Sequence, residues 1–149
     1  MLIMYFTTTH LHHKYFLPWG DYEFLEIKEN YRIKKLTISK DRATSYHNHR
    51  NREEYFTIIS GNGKVVIGES EKEVGPGDTF YVPKGVNHAI HGGCTGLTIV
   101  EVQTGECDEL DEDRVMDKYG RHIGYQKDWA EKIPDKILLK QEREKLTLL

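Results

Sequence analysis

Between residues 22 and 103 apolar and polar side chains alternate in short runs, and Gly, Pro, Asn or Asp interrupts the alternation every few positions. A period of two puts alternate side chains on one face of an extended chain, the mark of a strand with a single buried face. The pattern predicts strands over residues 22–27 and 31–38, with Asn30 in the turn between them. Residues 55–59 and 64–67 flank Ser60-Gly61-Asn62-Gly63. That sequence predicts a hairpin, because Gly and Asn tolerate positive φ. Val74-Gly75-Pro76-Gly77-Asp78 predicts another turn, and residues 79–82, 88–91 and 97–102 complete the set. No helical period separates these runs, so the expected class is all-β, a sandwich or barrel.

The ends read differently. Residues 106–113 are strongly acidic, the composition of a solvated loop. From Gln126 onward Trp129, Ile133, Ile137, Leu138 and Leu139 recur at nearly helical spacing, and Pro134 divides the run into two short helices. That tail is expected to pack on the outside of the barrel or on a second subunit. Residues 1–6 are apolar but short, no Lys or Arg precedes them, and Thr7-Thr8-Thr9 follows. They predict an N-terminal strand rather than a leader or a membrane span. A chain of 149 residues suits one domain. The barrel is expected over about residues 18–121 and a helical extension over about 122–149.

Charge and cysteine content narrow the function. The formal net charge is -3 with both signs interspersed, and no basic stripe of the kind nucleic acid requires is present. Cys94 and Cys107 lack zinc-type spacing and form no disulfide framework, which suits reduced thiols in a cytoplasm. The apolar residues 1–6 and the Trp129/Ile133/Ile137 face need cover, so a homodimer is expected.

The chemistry concentrates in two stretches. The first, residues 47–54, holds His47, His49 and Glu54, with Gly61 seven residues on. The second, residues 77–88, runs through Pro83-Lys84-Gly85 to His88. Residues two apart on a strand share a face, so His47 and His49 can point together into a barrel. A Pro-x-Gly turn then aims His88 at the same point. Three imidazoles and one carboxylate suit one divalent ion (Zn, Mn, Fe, Co or Ni) with room for water or substrate. His10, His12 and His13 lack a nearby carboxylate and read as loop histidines.

These two stretches resemble the paired motifs of the cupin superfamily, which implies a double-stranded β-helix, the jelly-roll barrel. Asp41 stands where the first motif has Gly, and Gly92 where the second ends in Asn. A closer resemblance is to the type II mannose-6-phosphate isomerase domain of bifunctional mannose-1-phosphate guanylyltransferases. It is carried by Pro18-Trp19-Gly20-Asp21-Tyr22, by residues 31–36, by Glu101-Val102-Gln103-Thr104-Gly105, and by Arg114 through Asp117 and Tyr119-Gly120 to Arg121. Residues 1–17 leave no room for the nucleotidyltransferase part, so guanylyl transfer is not expected.

The resemblance implies a phosphorylated or nucleotide-linked sugar as small-molecule partner and a metal-dependent aldose–ketose isomerase as activity. Arg114 and Arg121, with Lys34 or Lys35, are the candidate phosphate clamp, since guanidinium forks match phosphate oxygens. Glu101, Glu53 and Lys84 are the candidate bases. Trp19 and Tyr22 are either core or a sugar-stacking wall, and Asp117 and Tyr119 either act at the site or brace the arginines. Where relatives have Arg after the second-motif His, this chain has Ala89, which predicts one cation fewer beside the metal unless His91 substitutes. Two alternatives stay open: a cupin dioxygenase or related oxidoreductase, and a non-catalytic sugar-binding module that keeps its metal.

Overall fold

The computed structural model describes residues 11–132 and 147–148. The strand expected over residues 1–6, His10, and the helical positions from Ile133 to Leu139 lie outside them. Among the described residues eleven strands run in chain order: β1 (Lys14–Leu17), β2 (Gly20–Ile27), β3 (Tyr31–Ile38), β4 (Tyr46–Asn48), β5 (Arg52–Ile67), β6 (Ser70–Val74), β7 (Thr79–Val82), β8 (His88–Gly105), β9 (Asp113–Met116), β10 (Gly124–Tyr125) and β11 (Thr147–Leu148). The helix α1 (Gln126–Lys132) follows β10. Every pairing between these strands is antiparallel. This is the expected jelly-roll barrel.

The hairpin expected at Ser60-Gly61-Asn62-Gly63 is not formed. Those residues belong to one 16-residue strand, β5, and the two runs expected at 88–91 and 97–102 likewise join in the 18-residue β8. β5 and β8 pair along nearly their whole length, with register shifts at Ile58/Ser60 and Gly61/Gly63. Extra residues at such bulges bend a strand and raise its twist. The glycines therefore bend a paired ribbon around the barrel corner rather than end it. Gly61 has φ +89°, and a Cβ there would collide with the Gly96 carbonyl oxygen. Only Gly fits.

Cross-strand registers set what faces inward. Across β3, β8 and β5 the rows run Arg32–Gln103–Glu54, then Lys34–Glu101–Phe56, then Leu36–Ile99–Ile58, with Ile38–Leu97 beyond. All of these are buried. The interior thus grades from a charged end to an apolar end, where Phe24, Ile38, Ile58, Leu97 and Ile99 form part of the core. At the charged end β9, β4 and β8 bring Arg114, His47 and His88 into one row.

The backbone at Asp41, where the first motif has Gly, explains the exchange. Asp41 has φ 55°, a left-handed conformation that Asp enters more readily than most residues. The tail keeps its expected helix only in part. α1 forms where predicted, and Trp129 on it stacks against His122. Residues 147–148 are a strand paired with β1 instead of a helix end. Among the described residues no helix is long and apolar enough to cross a membrane.

Candidate metal centre

The structure brings His47, His49, Glu54 and His88 together at the charged end of the barrel. Glu54 Oε1 lies 3.1 Å from His49 Nε2 and 2.9 Å from His88 Nε2. The His47 ring centroid is 4.8 Å from that of His49 and 4.5 Å from that of His88. The three imidazoles form a cluster able to hold a metal ion. By contrast His12 and His13 are exposed.

Each imidazole has its outer nitrogen engaged. Nδ1 of His47 faces the Ser45 carbonyl at 2.9 Å, Nδ1 of His88 the Val86 carbonyl at 3.0 Å, and Nδ1 of His49 the Asp111 carbonyl. A carbonyl only accepts, so Nδ1–H donates and the Nε2 lone pair turns inward. Two lone-pair nitrogens and a carboxylate oxygen at about 3 Å repel one another unless a cation offsets them, which Arg52 does from one side only, 3.3 Å from His49 Nε2 and 3.4 Å from Glu54 Oε2. A six-coordinate ion with bonds of about 2.1 Å spaces neighbouring ligands by about 3.0 Å. The donor set therefore fits a divalent metal.

The carboxylates around the centre differ in charge state. Burial opposes the ionised form of Glu54, but its cationic surroundings, the Arg52 guanidinium among them, outweigh it and hold Glu54 well below the usual range. Glu101 is driven the other way, first by burial and then by the Glu54 charge, to well above the usual range. Gln103 Nε2 donates to both, at 3.1 Å to Glu54 Oε2 and 2.9 Å to Glu101 Oε1. Glu54 is thus held ionised beside the histidine cluster, while Glu101 is biased toward its neutral form. His47 is kept neutral, with burial and then His88 lowering its pKa to about 3.

The acidic run is not the solvated loop its composition suggested. Asp111 is fully buried. Its carboxylate accepts from the backbone N–H of Arg50 and Asn51 while its carbonyl holds His49. Glu112 accepts from Ser45 Oγ at 3.0 Å, and Ser45 Oγ is 2.9 Å from His47 Nδ1. The Asp108 carbonyl accepts from Arg52 at 2.8 Å. Glu109 meets Lys34 at 2.8 Å and Arg32 at 3.2 Å. Burial would raise its pKa, yet Lys34, Arg52 and Arg32 together hold it at about 2. Sequence parity with Glu54 would have found Arg52, and parity with Glu101 would have found Gln103. Nothing local in the run marks which carboxylate turns inward.

The other candidates divide between cavity and exterior. Arg114, Arg121, Trp19, Tyr22, Lys34 and Glu101 line the cavity. Arg114 donates to the His122 carbonyl at 2.9 Å and to Glu112, and Arg121 pairs with Asp117 at 2.7 Å. Asp117 therefore braces Arg121, and Tyr119 donates to the Ala43 carbonyl at 3.0 Å. Lys35 is not brought to the cavity. One residue off the inward phase of β3, it pairs with Glu23 at 3.6 Å on the outer face, as the alternation of a strand requires. Glu53 also stands on the outer face, where Tyr55 donates to it, and Lys84 is exposed. Ala89 lies on the face of β8 opposite His88 and Ile90, the two residues there that line the cavity. An Arg at that position would point away from the centre, so its absence removes no cation from the metal's side. His91 shares that outward phase and is no substitute for one.

A double-stranded β-helix with His47, His49 and Glu54 on one stretch and His88 on another defines a cupin. The solved structure of a point mutant of the Bacillus subtilis oxalate decarboxylase OxdC superposes with TM-score 0.64 at 20% identity, covering 91% of this chain and 36% of that one. KdgF from a Halomonas species superposes with TM-score 0.62 at 12% identity over 71% of this chain and 96% of its own. At these identities the likeness is one of fold alone. The family model described as "Mannose-6-phosphate isomerase C-terminal" matches residues 6–118, and the chain belongs to that family. It is 31% identical over 114 residues to the mannose-1-phosphate guanylyltransferase ManC of Salmonella typhimurium, covering 75% of this chain and 24% of that protein. Against the xanthan biosynthesis protein XanB of Xanthomonas campestris it is 31% identical over 112 residues, 74% of this chain and 24% of the relative. The chain thus spans about a quarter of the length of these relatives.

Proposed function

We propose that this domain is a metal-dependent sugar-phosphate isomerase of the mannose-6-phosphate type. One observation carries the reading. In a chain of this family, three inward Nε2 atoms and Glu54 Oε1 converge beside the buried acid Glu101, in a cavity with a cationic wall. A divalent ion bound there supplies a Lewis acid for the oxygens on adjacent carbons of an open-chain sugar. His47, His49, His88 and Glu54 hold it, and the carbonyls of Ser45, Asp111 and Val86 keep the imidazoles oriented. Glu101 is the carboxyl we assign to proton transfer: a bound divalent ion would offset the Glu54 charge that favours its neutral form, leaving it able to take the proton from one carbon and return it to the next. Cations of the cavity wall hold the phosphate. Trp19 and Tyr22 form its aromatic side. The reading carries a cytoplasmic location and a homodimer with it.

The test is metal analysis of the purified protein joined to a coupled assay interconverting mannose 6-phosphate and fructose 6-phosphate. Turnover should follow metal content and be lost on chelation. His88→Ala should remove both metal and turnover, while Glu101→Gln should keep the metal and lose turnover. A fully metal-loaded protein that binds sugar phosphates but does not interconvert them would overturn the isomerase and leave a binding module.

A further inference from the structure

We propose that Lys34, which lines the cavity, and Arg32, which shares its anion just outside that lining, form a phosphate subsite that Glu109 fills in the free protein as a displaceable stand-in. Lys34 Nζ lies 2.8 Å from both Glu109 oxygens, and Arg32 Nη1 is 3.2 Å from one of them. Two cations converging on the oxygens of one anion is the geometry that a bound phosphate monoester would meet. The pair sits at the right place along the barrel. Arg32 shares a cross-strand row with Gln103 and Glu54, and Lys34 shares the next with Glu101. An anion held there lies across β8 from Glu54 and beside Glu101 on β8 itself.

The other cations of the wall are tied differently. Arg114 binds Glu112, two residues away, and Arg121 binds Asp117, four residues away, within the same turn. Asp117 also accepts from the backbone N–H of Tyr119 and of Arg121. Those pairs brace their own segment and close with it. Glu109 arrives instead from a loop more than seventy residues distant from Arg32 and Lys34 in sequence. Its side chain is 15% exposed, against 9% for Arg32 and 5% for Lys34. It is the nearest of the three to solvent, so rotating it outward uncovers two cations without moving a strand. Withdrawing a buried carboxylate from a cation is costly, most of all for Lys34, and an incoming dianion offsets that cost. The subsite stands on these contacts; that its anion belongs to a sugar phosphate rests on the isomerase reading.

The experiment measures binding of inorganic phosphate and of mannose 6-phosphate by calorimetry, at equal metal content and without turnover. An occupied subsite weakens apparent affinity by the fraction of time it is occupied, and removing the occupant restores it. Glu109→Gln should therefore tighten phosphate at least about tenfold. Phosphate should also raise its melting temperature more than that of the unaltered protein. Lys34→Met should weaken phosphate by about 30-fold or more, as loss of a desolvated charge partner does. If Glu109→Gln does not fold, Glu109→Asp keeps the charge but shortens the reach, and it should tighten phosphate in the same direction. Unchanged or weaker phosphate binding in the Glu109 variant that folds would overturn the subsite, as would unchanged binding in Lys34→Met. Phosphate bound as expected without sugar interconversion would sink the isomerase alone. Interconversion with phosphate affinity indifferent to Lys34 and Glu109 would sink the subsite alone.

Discussion

At the scale of single residues, the centre depends on groups that do not themselves reach it. Asp111 holds the loop at Arg50 and Asn51 with its carboxylate and the His49 ring with its carbonyl. Partners of this kind typically contribute 10–100-fold in metal affinity. Asp111→Ala should weaken metal binding by about that factor and lower the melting temperature, while His12→Ala, on the exposed surface, should change neither. Equal metal affinities for the two variants would disprove the positioning role. Glu109 makes a different prediction. Its pKa is about 2 in the fold against an ordinary 4.5, so between those values the unfolded chain binds the extra proton. Its stabilisation is full above pH 4.5 and fades as pH falls toward 2. Urea titrations should show Glu109→Gln less stable at pH 7 by on the order of 3 kcal/mol. The gap should narrow steadily below pH 4.5. A gap independent of pH would mean the carboxylate is not held by these cations.

At the scale of elements, the bent β5–β8 ribbon carries both halves of the site, with Glu54 and Glu101 on one side of the corner and His88 on the other. The corner needs Gly61, where a Cβ would collide with the Gly96 carbonyl at positive φ. Gly61→Ala should cost roughly 2 kcal/mol or more in chemical denaturation, while alanine at Gly75, whose Cβ would meet nothing within 4 Å, should be close to neutral. Equal costs at the two positions would argue against a strained corner. β3 shows why a strand's phase matters more than its existence. Its bounds were readable, yet Arg32 and Lys34 face inward while Ile33 faces out. A strand rich in both kinds of residue satisfies either phase on paper. Pairing with the inward residues of β8 selects one.

At the scale of the molecule, an apolar row crosses the outer sheet surface. Ile33, Val102, Tyr55 and Tyr81 stand in register on β3, β8, β5 and β7, and the two tyrosine rings stack at 4.9 Å. Tyr55 and Tyr81 are each 43% exposed and Ile59 51%. An uncovered row of this kind adds to the reasons for expecting a second copy. Sedimentation should give twice the 17.4 kDa chain mass. Tyr55→Glu with Tyr81→Glu should bring it down to the single-chain mass and leave metal content intact. A species at the single-chain mass before any substitution would end the dimer expectation.

The sequence by itself determined the class of fold, the histidine cluster and the family, because each rests on local order. Period-two alternation marks strands, and His-x-His with a following Glu and a Pro-x-Gly turn marks the metal stretches. It did not determine the course of the chain at Ser60-Gly61-Asn62-Gly63, where the same glycines serve a hairpin or a bulge. Only the partner strand decides, and β8 continues past the corner. Nor did it assign the acidic run, whose carboxylates look alike until the barrel mouth supplies Lys34, Arg32, Ser45 and the loop at Arg50 as partners. The face of Lys35 and of Ala89 was likewise settled by register. These are contacts between residues far apart in sequence, so their energies appear only when the chain closes on itself.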